Sequence, residues 1–370
     1  MSGRAGGAAP PPADAGRLGP AAVAAADPAG MHRLIGAWPE QLAAQRAALA
    51  ARPWPGPLSA GGCRLLAVGG LGGSAIGADL ALGLAEDELA FPACVVRDYQ
   101  WPAAVGPGAL CVLSSYSGGT EEVLALYDEA ARRGAARLAL TSGGELARRA
   151  ARDGVACGAL PPGLPPRAAL GYSLTALLSL LRALGCSLGG PDALDEAQEV
   201  LAAGQRRLAP EVPEAENPAK QLALALRGKL VVVYTATRFL AGVGRRWKGQ
   251  INENAKTPAF HGAVPELNHN ESVGWEALRP LHPQLAVVCL RDREEHPRVA
   301  RRLDLTRAQV AEAGLAAHAA AATGEGRLAR VLSLVQLGDW VSLYLAVLAG
   351  VDPTPVVPID RLKQALGEMP

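Results

Sequence analysis

The sequence predicts an α/β protein with two doubly wound parallel-sheet domains. Strand and helix patterns alternate along most of the chain, and the strand candidates are continuous apolar runs, which are typical of a parallel sheet covered on both faces. The length of 370 residues also favours two domains over one. Both halves open with an apolar strand, a turn of small residues and a helix. This suggests one plan used twice, with two independent α/β folds as the alternative.

The first half begins with a helix predicted at 34–51, followed by a Pro-rich break. Its strands are predicted at 63–68, 93–96, 110–113, 138–140 and 155–160. Its helices are predicted at 74–84, 121–133, 145–152 and 170–184. Two glycines and a proline at 189–191 mark a boundary. The first domain is therefore expected at residues 31–190.

The second domain is expected at residues 191–370, after a polar helical linker at 193–207. Its strands are predicted at 229–234, 285–290 and 315–321, and its helices at 239–250, 298–312, 326–350 and 360–366. Residues 1–30 are rich in Ala, Pro and Gly and contain no apolar core like that of a signal peptide. We expect them to be a disordered leader.

Composition narrows the possible functions. With 36 basic and 35 acidic residues, the net charge of +1 gives no electrostatic footprint for nucleic acid. No apolar run reaches the roughly 20 residues needed to span a bilayer. The six cysteines form no CxxC pair, so we expect reduced thiols, no metal site and a cytoplasmic location.

A glycine-rich turn, GGLGGSAIG at 69–77, directly follows the first strand. Glycines let the backbone approach a ligand, and the helix that follows presents free N–H groups to an anion. Gly73 and Ser74 are the candidate ligand contacts. The turn also satisfies GxGxxA, the dinucleotide-binding pattern, and a purely structural turn is the remaining interpretation.

A second turn, SSYSGGT at 114–120, again lies between a strand and a helix. The hydroxyls of Ser115, Ser117 and Thr120, with backbone amides and the helix dipole, could surround a phosphate dianion. The loop has no Lys, which favours a phosphomonoester over a nucleoside triphosphate. Simple N-capping of the helix by Thr120 is the structural alternative.

Three polar segments of the second half are candidates for acid–base chemistry. Glu253 lies among amides in WKGQINENAKTP, where polar burial is costly without a function. His269 lies in ELNHNE, where neighbouring amides and carboxylates can set the imidazole tautomer. Lys363 belongs to a terminal helix. A solvated surface position is the alternative for each of the three.

At these residues the sequence resembles the bifunctional phosphoglucose/phosphomannose isomerases, which belong to the sugar isomerase (SIS) domain superfamily. GGSAIG, SYSG-x-TEE, PPRAALGY, NENAK, ELNHNE and a final LK pair occur in this order between about residue 30 and the end. The resemblance implies two SIS domains, a hexose 6-phosphate substrate, no cofactor, and a homodimer with shared active sites. One departure is Gly119, where the family often has Asn.

The resemblance also implies roles for individual residues in converting glucose 6-phosphate and mannose 6-phosphate to fructose 6-phosphate, a step of glycolysis and gluconeogenesis. Substrate and phosphate would be bound by Gly73, Ser74, Ser115, Ser117 and Thr120. Glu253 would transfer the proton through an enediol, and Arg167 would stabilise the developing negative charge. His269, acting across the dimer, and Lys363 would open the sugar ring.

Other functions remain open at the level of sequence. A nucleotide-linked oxidoreductase would account for GxGxxA but not for the serine-rich loop or the Glu253 segment. A non-catalytic sugar-phosphate sensor is the main alternative, because SIS domains also serve as regulatory modules. No basic DNA-reading element accompanies them in this sequence.

Overall fold

The computed structural model describes residues 17–54, 62–277 and 279–368. The strands are β1 (Leu65–Gly69), β2 (Ala93–Val96), β3 (Ala109–Ser114), β4 (Ala136–Thr141), β5 (Ala156–Ala159), β6 (Leu230–Ala236), β7 (Ala259–Val264), β8 (Leu285–Arg291) and β9 (Ala316–Ala321). They form a five-stranded sheet in the order β2-β1-β3-β4-β5 and a four-stranded sheet in the order β7-β6-β8-β9. Every strand pairing is parallel. The predicted fold class is therefore confirmed.

Helices cover both sheets. The helices of the first half are α1 (Pro20–Ala26), α2 (Met31–Gly36), α3 (Trp38–Ala51), α4 (Gly72–Ala85), α5 (Glu121–Arg132), α6 (Gly144–Arg152) and α7 (Leu170–Ala183). Those that follow are α8 (Ala193–Leu208), α9 (Pro218–Leu226), α10 (Phe239–Asn254), α11 (Glu271–Gly274), α12 (Pro297–Glu312), α13 (Arg327–Ala349) and α14 (Val357–Gly367). Short 3₁₀ turns lie at Pro166–Ala168, Glu266–His269 and Arg279–Gln284.

The two sheets share one strand order, since β7-β6-β8-β9 corresponds to β2-β1-β3-β4. This agrees with the predicted use of one plan twice. In the first sheet, β1 and β3 are neighbours, with Gly69 paired to Leu113 at their carboxyl ends. The connection after β1 leads to β2 on one side of the sheet, and the connection after β3 leads to β4 on the other side. Ligands of open α/β sheets bind at the point where the strand order reverses in this way. The glycine-rich and serine-rich turns therefore leave the sheet side by side.

Strand β7 and helix α9 are among the elements that were not predicted. β7 has the sequence AFHGAV, in which His261 and Gly262 interrupt the apolar run. It forms because β6 offers a free parallel edge, and Phe260 on it remains exposed. α9 follows Asn217, whose side chain caps it by accepting hydrogen bonds from the backbone N–H groups of Ala219 and Lys220.

The expected disordered leader needs correction over its last part. Its first 16 residues lie outside the described part of the chain. From Arg17 onward the chain is packed: α1 is a helix that contacts α13, and Leu18 and Val23 are buried. Burial of these two apolar side chains offsets the cost of ordering the segment. The domain boundary at residue 190 stays a prediction.

The long helix α13 lies at the centre of the core. It packs against α8, α9 and α10, and its close approach to α10 needs Gly338, where an added Cβ would lie 2.4 Å from the indole nitrogen of Trp247. By length and composition α13 could cross a membrane, although Arg330 and Asp339 interrupt its apolar residues. However, 78% of its most apolar window is buried inside the protein, as in a core helix of a folded domain.

Candidate active site

The glycine-rich turn is shaped by close backbone contacts. A Cβ on Gly70 would lie 3.0 Å from the carbonyl oxygen of Ser114, and one on Gly73 would lie 2.9 Å from that of Pro166. Gly72 adopts a φ of +50°, which side chains disfavour. The glycines thus bring three segments together: the start of α4, the serine-rich turn and the 3₁₀ turn that carries Arg167. This packing accounts for GxGxxA without a dinucleotide.

The serine-rich turn gathers its predicted hydroxyls at the N-terminus of α5. The hydroxyls of Ser115 and Thr120 are hydrogen-bonded at 2.7 Å. The backbone N–H of Gly118 donates to the Ser115 hydroxyl at 3.1 Å, and that of Gly119 donates to the Ser117 hydroxyl at 3.3 Å. The Thr120 side chain makes no capping hydrogen bond to α5, so the structural alternative for this residue does not hold.

Ser74 and Tyr116 join the three segments. Ser74 is buried, and its hydroxyl accepts a hydrogen bond from the backbone N–H of Tyr116 at 3.1 Å. The Tyr116 hydroxyl donates to the carbonyl of Pro161 at 2.6 Å and accepts from the N–H of Leu164 at 3.0 Å. The serine-rich turn therefore holds the segment that leads to Arg167.

The structure brings Arg167 and Glu253 together from opposite halves of the chain. Arg167 Nη1 lies 3.6 Å from Glu253 Oε2, and both residues line a cavity of about 260 Å³ together with Gly73. The Arg167 side chain is only 4% exposed, whereas that of Glu253 is 29% exposed. Burial lowers the pKa of Arg167 from its ordinary value, and the neighbouring carboxylate of Glu253 opposes that shift.

Arg167 is fixed by uncharged acceptors of the second half. Its Nε donates to Asn254 Oδ1 at 2.8 Å, and its Nη2 donates to the carbonyls of Pro353 at 2.6 Å and Thr354 at 2.8 Å. Lys256 reaches the same segment, donating to the carbonyl of Pro355 at 2.6 Å. Burial, reinforced by the nearby Arg167, lowers the pKa of Lys256. The chain between α13 and α14 is thus held by two cations.

Several cations of the cavity were missed at the level of sequence. Besides Arg167, its lining includes Arg97, Arg245, Arg246 and Lys248. A signal was available, because Arg246, Gln250 and Glu253 are spaced as one face of a helix. Both Arg97 and Arg245 form ion pairs with Asp79, whose pKa is raised by burial in spite of these two arginines.

Arg246, which also lines the cavity, belongs to a buried hydrogen-bond network. Its guanidinium makes two hydrogen bonds to Asp339, at 2.9 and 2.7 Å, and also donates to the carbonyl of Arg167 at 2.8 Å. The indole N–H of Trp38 donates to the same carboxylate at 3.3 Å. Both partners of this ion pair are almost completely buried. The backbone of Arg167 is therefore tied to the second half, as its side chain is.

His269 and Lys363 are not brought to this cavity within one chain. His269 is exposed in the 3₁₀ turn after β7, and Lys363 is exposed on α14, a helix without a single buried residue. Neither belongs to the lining of the Glu253 cavity. The predicted phosphate ligands Ser115, Ser117 and Thr120 are not part of that lining either.

Other features of the described residues do not compete with this site. A cavity of about 450 Å³ beside β9 contains none of the predicted site residues. Within the described ranges, no group of three or more His, Cys, Asp or Glu side chains could hold a metal ion. All six cysteines fall in these ranges and are free thiols.

Comparison with known proteins assigns the family. Residues 215–366 match the family of the bacterial phospho-glucose isomerase C-terminal SIS domain. A protein of Caldicellulosiruptor bescii named bifunctional phosphoglucose/phosphomannose isomerase is 44% identical, over 81% of this chain and 88% of its own length. One of the same name from Aquifex aeolicus is 37% identical, over 80% of this chain and 88% of its length. This chain belongs to the bifunctional phosphoglucose/phosphomannose isomerase family.

Solved structures support the fold of this phosphoglucose/phosphomannose isomerase family member. A glucose-6-phosphate isomerase like protein from Thermus thermophilus matches with a TM-score of 0.61 and 22% identity, covering 94% of this chain and 98% of that one. The C-terminal domain of glucosamine-fructose-6-phosphate aminotransferase from Francisella tularensis matches with a TM-score of 0.62 and 14% identity, covering 87% and 96%. At these identities the likeness shows the shared SIS fold alone.

The buried ion pair gives a test of the scaffold. Asp339→Asn keeps the side-chain shape but leaves the Arg246 charge buried without a carboxylate, which should lower the free energy of unfolding by about 3–5 kcal/mol. Urea denaturation followed by circular dichroism measures this loss. Asp195→Asn, which breaks the exposed pair with Arg46, is the control and should have a much smaller effect. Equal losses in both variants would contradict the structural importance of the Arg246–Asp339 pair.

Proposed function

We propose that this protein interconverts glucose 6-phosphate and mannose 6-phosphate with fructose 6-phosphate through an enediol. The observation that carries the proposal is the Arg167–Glu253 pair, 3.6 Å apart in a cavity that Gly73 also lines, one residue before Ser74, which accepts a hydrogen bond from the serine-rich turn. The named relatives at 44% and 37% identity support the same reaction. We also propose a cytoplasmic location and a role in glycolysis and gluconeogenesis; the six free cysteines are typical of a reducing compartment.

The proton transfer requires one base. Glu253 takes the proton from C2 of the open-chain aldose and returns it to C1 while the hydroxyl proton moves from O2 to O1, and the reverse reaction uses the same path. Its side chain is partly exposed to the cavity, so it is accessible to a substrate. Because C1 is reduced while C2 of the same molecule is oxidised, the reaction needs no redox cofactor.

The developing negative charge lies on the sugar oxygens during this transfer. Arg167 is suited to stabilise it because its guanidinium is fixed before the substrate binds and is mostly removed from water. A charge in such a low-dielectric site acts more strongly than one in solvent. The arrangement thus favours turnover over simple sensing, since a sensor needs no carboxylate beside a buried arginine.

The phosphate is expected at the serine-rich turn. Ser115, Ser117 and Thr120 supply hydroxyls, and the N-terminus of α5 adds the positive end of its helix dipole. A dianion bound at this place would anchor the far end of the sugar. The C1 and C2 carbons could then lie in the adjoining cavity, near Glu253.

Ring opening is expected to involve a second subunit. His269 and Lys363 lie outside the cavity of their own chain, so a role for them needs another copy or a movement of α14. The α14 helix exposes apolar side chains suited to such a contact: Val357, Ile359, Leu362 and Leu366. An open groove of about 580 Å³ runs from Glu253 to the first turn of α14. These features support a homodimer with shared active sites.

The base assignment is tested by Glu253→Gln, which keeps the size of the side chain but cannot accept the C2 proton. We expect kcat to fall by about 10²–10⁴-fold for both aldoses, with little change in substrate affinity. A coupled assay of fructose 6-phosphate formation measures the rate. Glu199→Gln on the exposed face of α8 is the control. Near-normal kcat in the Glu253→Gln variant would exclude this residue as the base.

Removal of one phosphate ligand should affect binding more than chemistry. Ser117→Ala is expected to raise KM for glucose 6-phosphate by about tenfold or more, because a hydrogen bond to a charged group contributes about 1.5–3 kcal/mol. Steady-state kinetics with matched enzyme concentrations measures the change, and Ser187→Ala is the control. An unchanged KM would show that the phosphate is bound elsewhere.

Shared active sites predict complementation between inactive variants. Glu253→Gln and His269→Ala homodimers should each turn over slowly. Mixed under conditions that allow subunit exchange, they should regain up to about a quarter of wild-type activity per site, because a heterodimer contains one site with both native residues. The same mixture without exchange is the control. Absence of recovery after proven exchange would place each site within a single chain.

A further inference from the structure

Arg167 is a buried cation whose direct hydrogen bonds go to neutral groups. Its Nε donates to the side-chain amide of Asn254, and its Nη2 donates to two backbone carbonyls. The carboxylate of Glu253 is 3.6 Å away, longer than a hydrogen bond. The guanidinium is therefore held in place by hydrogen bonds to groups that carry no charge.

Hydrogen bonds to helix α13 fix the orientation of the Asn254 amide. Asn254 is fully buried, and its Nδ2 donates to the Ser342 hydroxyl at 2.9 Å. That hydroxyl in turn donates to the carbonyl of Asp339 at 2.7 Å. Since the Nδ2 side must donate to Ser342, the Oδ1 side must face Arg167. The chain of bonds thus leads from the core helix α13 to the guanidinium.

Asn254 directly follows Glu253 on α10. Successive helix residues point about 100° apart, so one side chain can face the cavity while the next faces the core. The Arg167 guanidinium lies between the two side chains. It donates a hydrogen bond to the amide of Asn254 and approaches the carboxylate of Glu253. The last turn of α10 therefore supplies both the expected base, Glu253, and the amide of Asn254, which orients the guanidinium of Arg167.

Arg167 and Arg246 differ in whether a carboxylate accepts their hydrogen bonds. The charged groups near Arg167 are Glu253, Arg246, Asp339, Asp352 and Lys256. Arg246 is neutralised by its two hydrogen bonds to Asp339. Arg167 has no comparable carboxylate contact among its described hydrogen bonds. An acidic residue at position 254 would create one.

We propose that Asn254 is a positioning residue whose neutral amide fixes the Arg167 guanidinium beside Glu253 without neutralising it. This inference rests on the proposed isomerase function of the same site. An aspartate at position 254 would accept the same hydrogen bond as a charge-assisted pair and would draw the guanidinium away from the reacting oxygens. It would also place a second carboxylate near Glu253, which disfavours the ionised form of the base.

The experiment compares Asn254→Asp with Asn254→Ala in the full-length protein, measuring kcat and KM for glucose 6-phosphate across pH. Asn254→Asp should lower kcat by about 10- to 100-fold with KM nearly unchanged, because transition-state stabilisation is weakened while the phosphate site is intact. The pH below which kcat/KM falls should move upward. Asn254→Ala should lower kcat without moving that pH, since it adds no charge.

Asn217→Asp is the matched control, because Asn217 is equally buried but caps α9 rather than contacting Arg167. Its kinetics should match those of the wild type. The inference would be overturned if a folded Asn254→Asp protein had the kcat of the wild type and its kcat/KM fell below the same pH as that of the wild type. If thermal melting shows that Asn254→Asp does not fold, Asn254→Ala decides: lowered kcat with unchanged KM supports the inference, and kcat within about twofold of wild type overturns it.

Wild-type turnover separates this inference from the proposed function. An active wild type with unaffected Asn254 variants would overturn only the role of Asn254. A wild type without isomerase activity on either aldose would overturn the proposed function and this inference with it.

Discussion

The site depends on one interaction, the burial of Arg167 against the opposite half of the chain. A buried guanidinium is stable only when its N–H groups are satisfied, and here the second half supplies the acceptors: Asn254, Pro353 and Thr354. Arg246 adds a hydrogen bond to the Arg167 carbonyl. The relative placement of the two sheets is therefore fixed at the point where Arg167 approaches Glu253. The same contacts hold the two halves together and position these two side chains.

The two halves share a strand order but use it for different purposes. In the first half, the turns after β1 and β3 supply glycines and hydroxyls of the kind that bind an anion. In the second half, the corresponding turn before α10 is occupied by Arg238, whose φ is +68° and which pairs with Glu86 and Asp87 of the first half. This turn serves as a contact between the halves. The second half contributes the carboxylate from the last turn of α10 instead.

Prediction from sequence succeeded where the signal is local. The continuous apolar run of β3 and the hydroxyls after it identify a buried strand and a polar turn without reference to the rest of the chain. It failed where a distant partner decides the outcome. The sequence of β7 becomes a strand because β6 has a free edge, and Leu18 is ordered because core surface is available to bury it. Neither partner is visible in the segment itself.

The sequence by itself determined the α/β class and the family resemblance, and it predicted the two candidate anion-binding turns and Glu253 as the base, because these depend on contiguous residue types and on a resemblance that spans most of the chain. Only the tertiary structure decided which polar groups surround that carboxylate. Trp38, Arg246 and Asp339 meet in one buried cluster although 301 residues separate its ends. A buried charge must find its partner in space rather than along the chain, so its hydrogen bonds become known only when the fold is known.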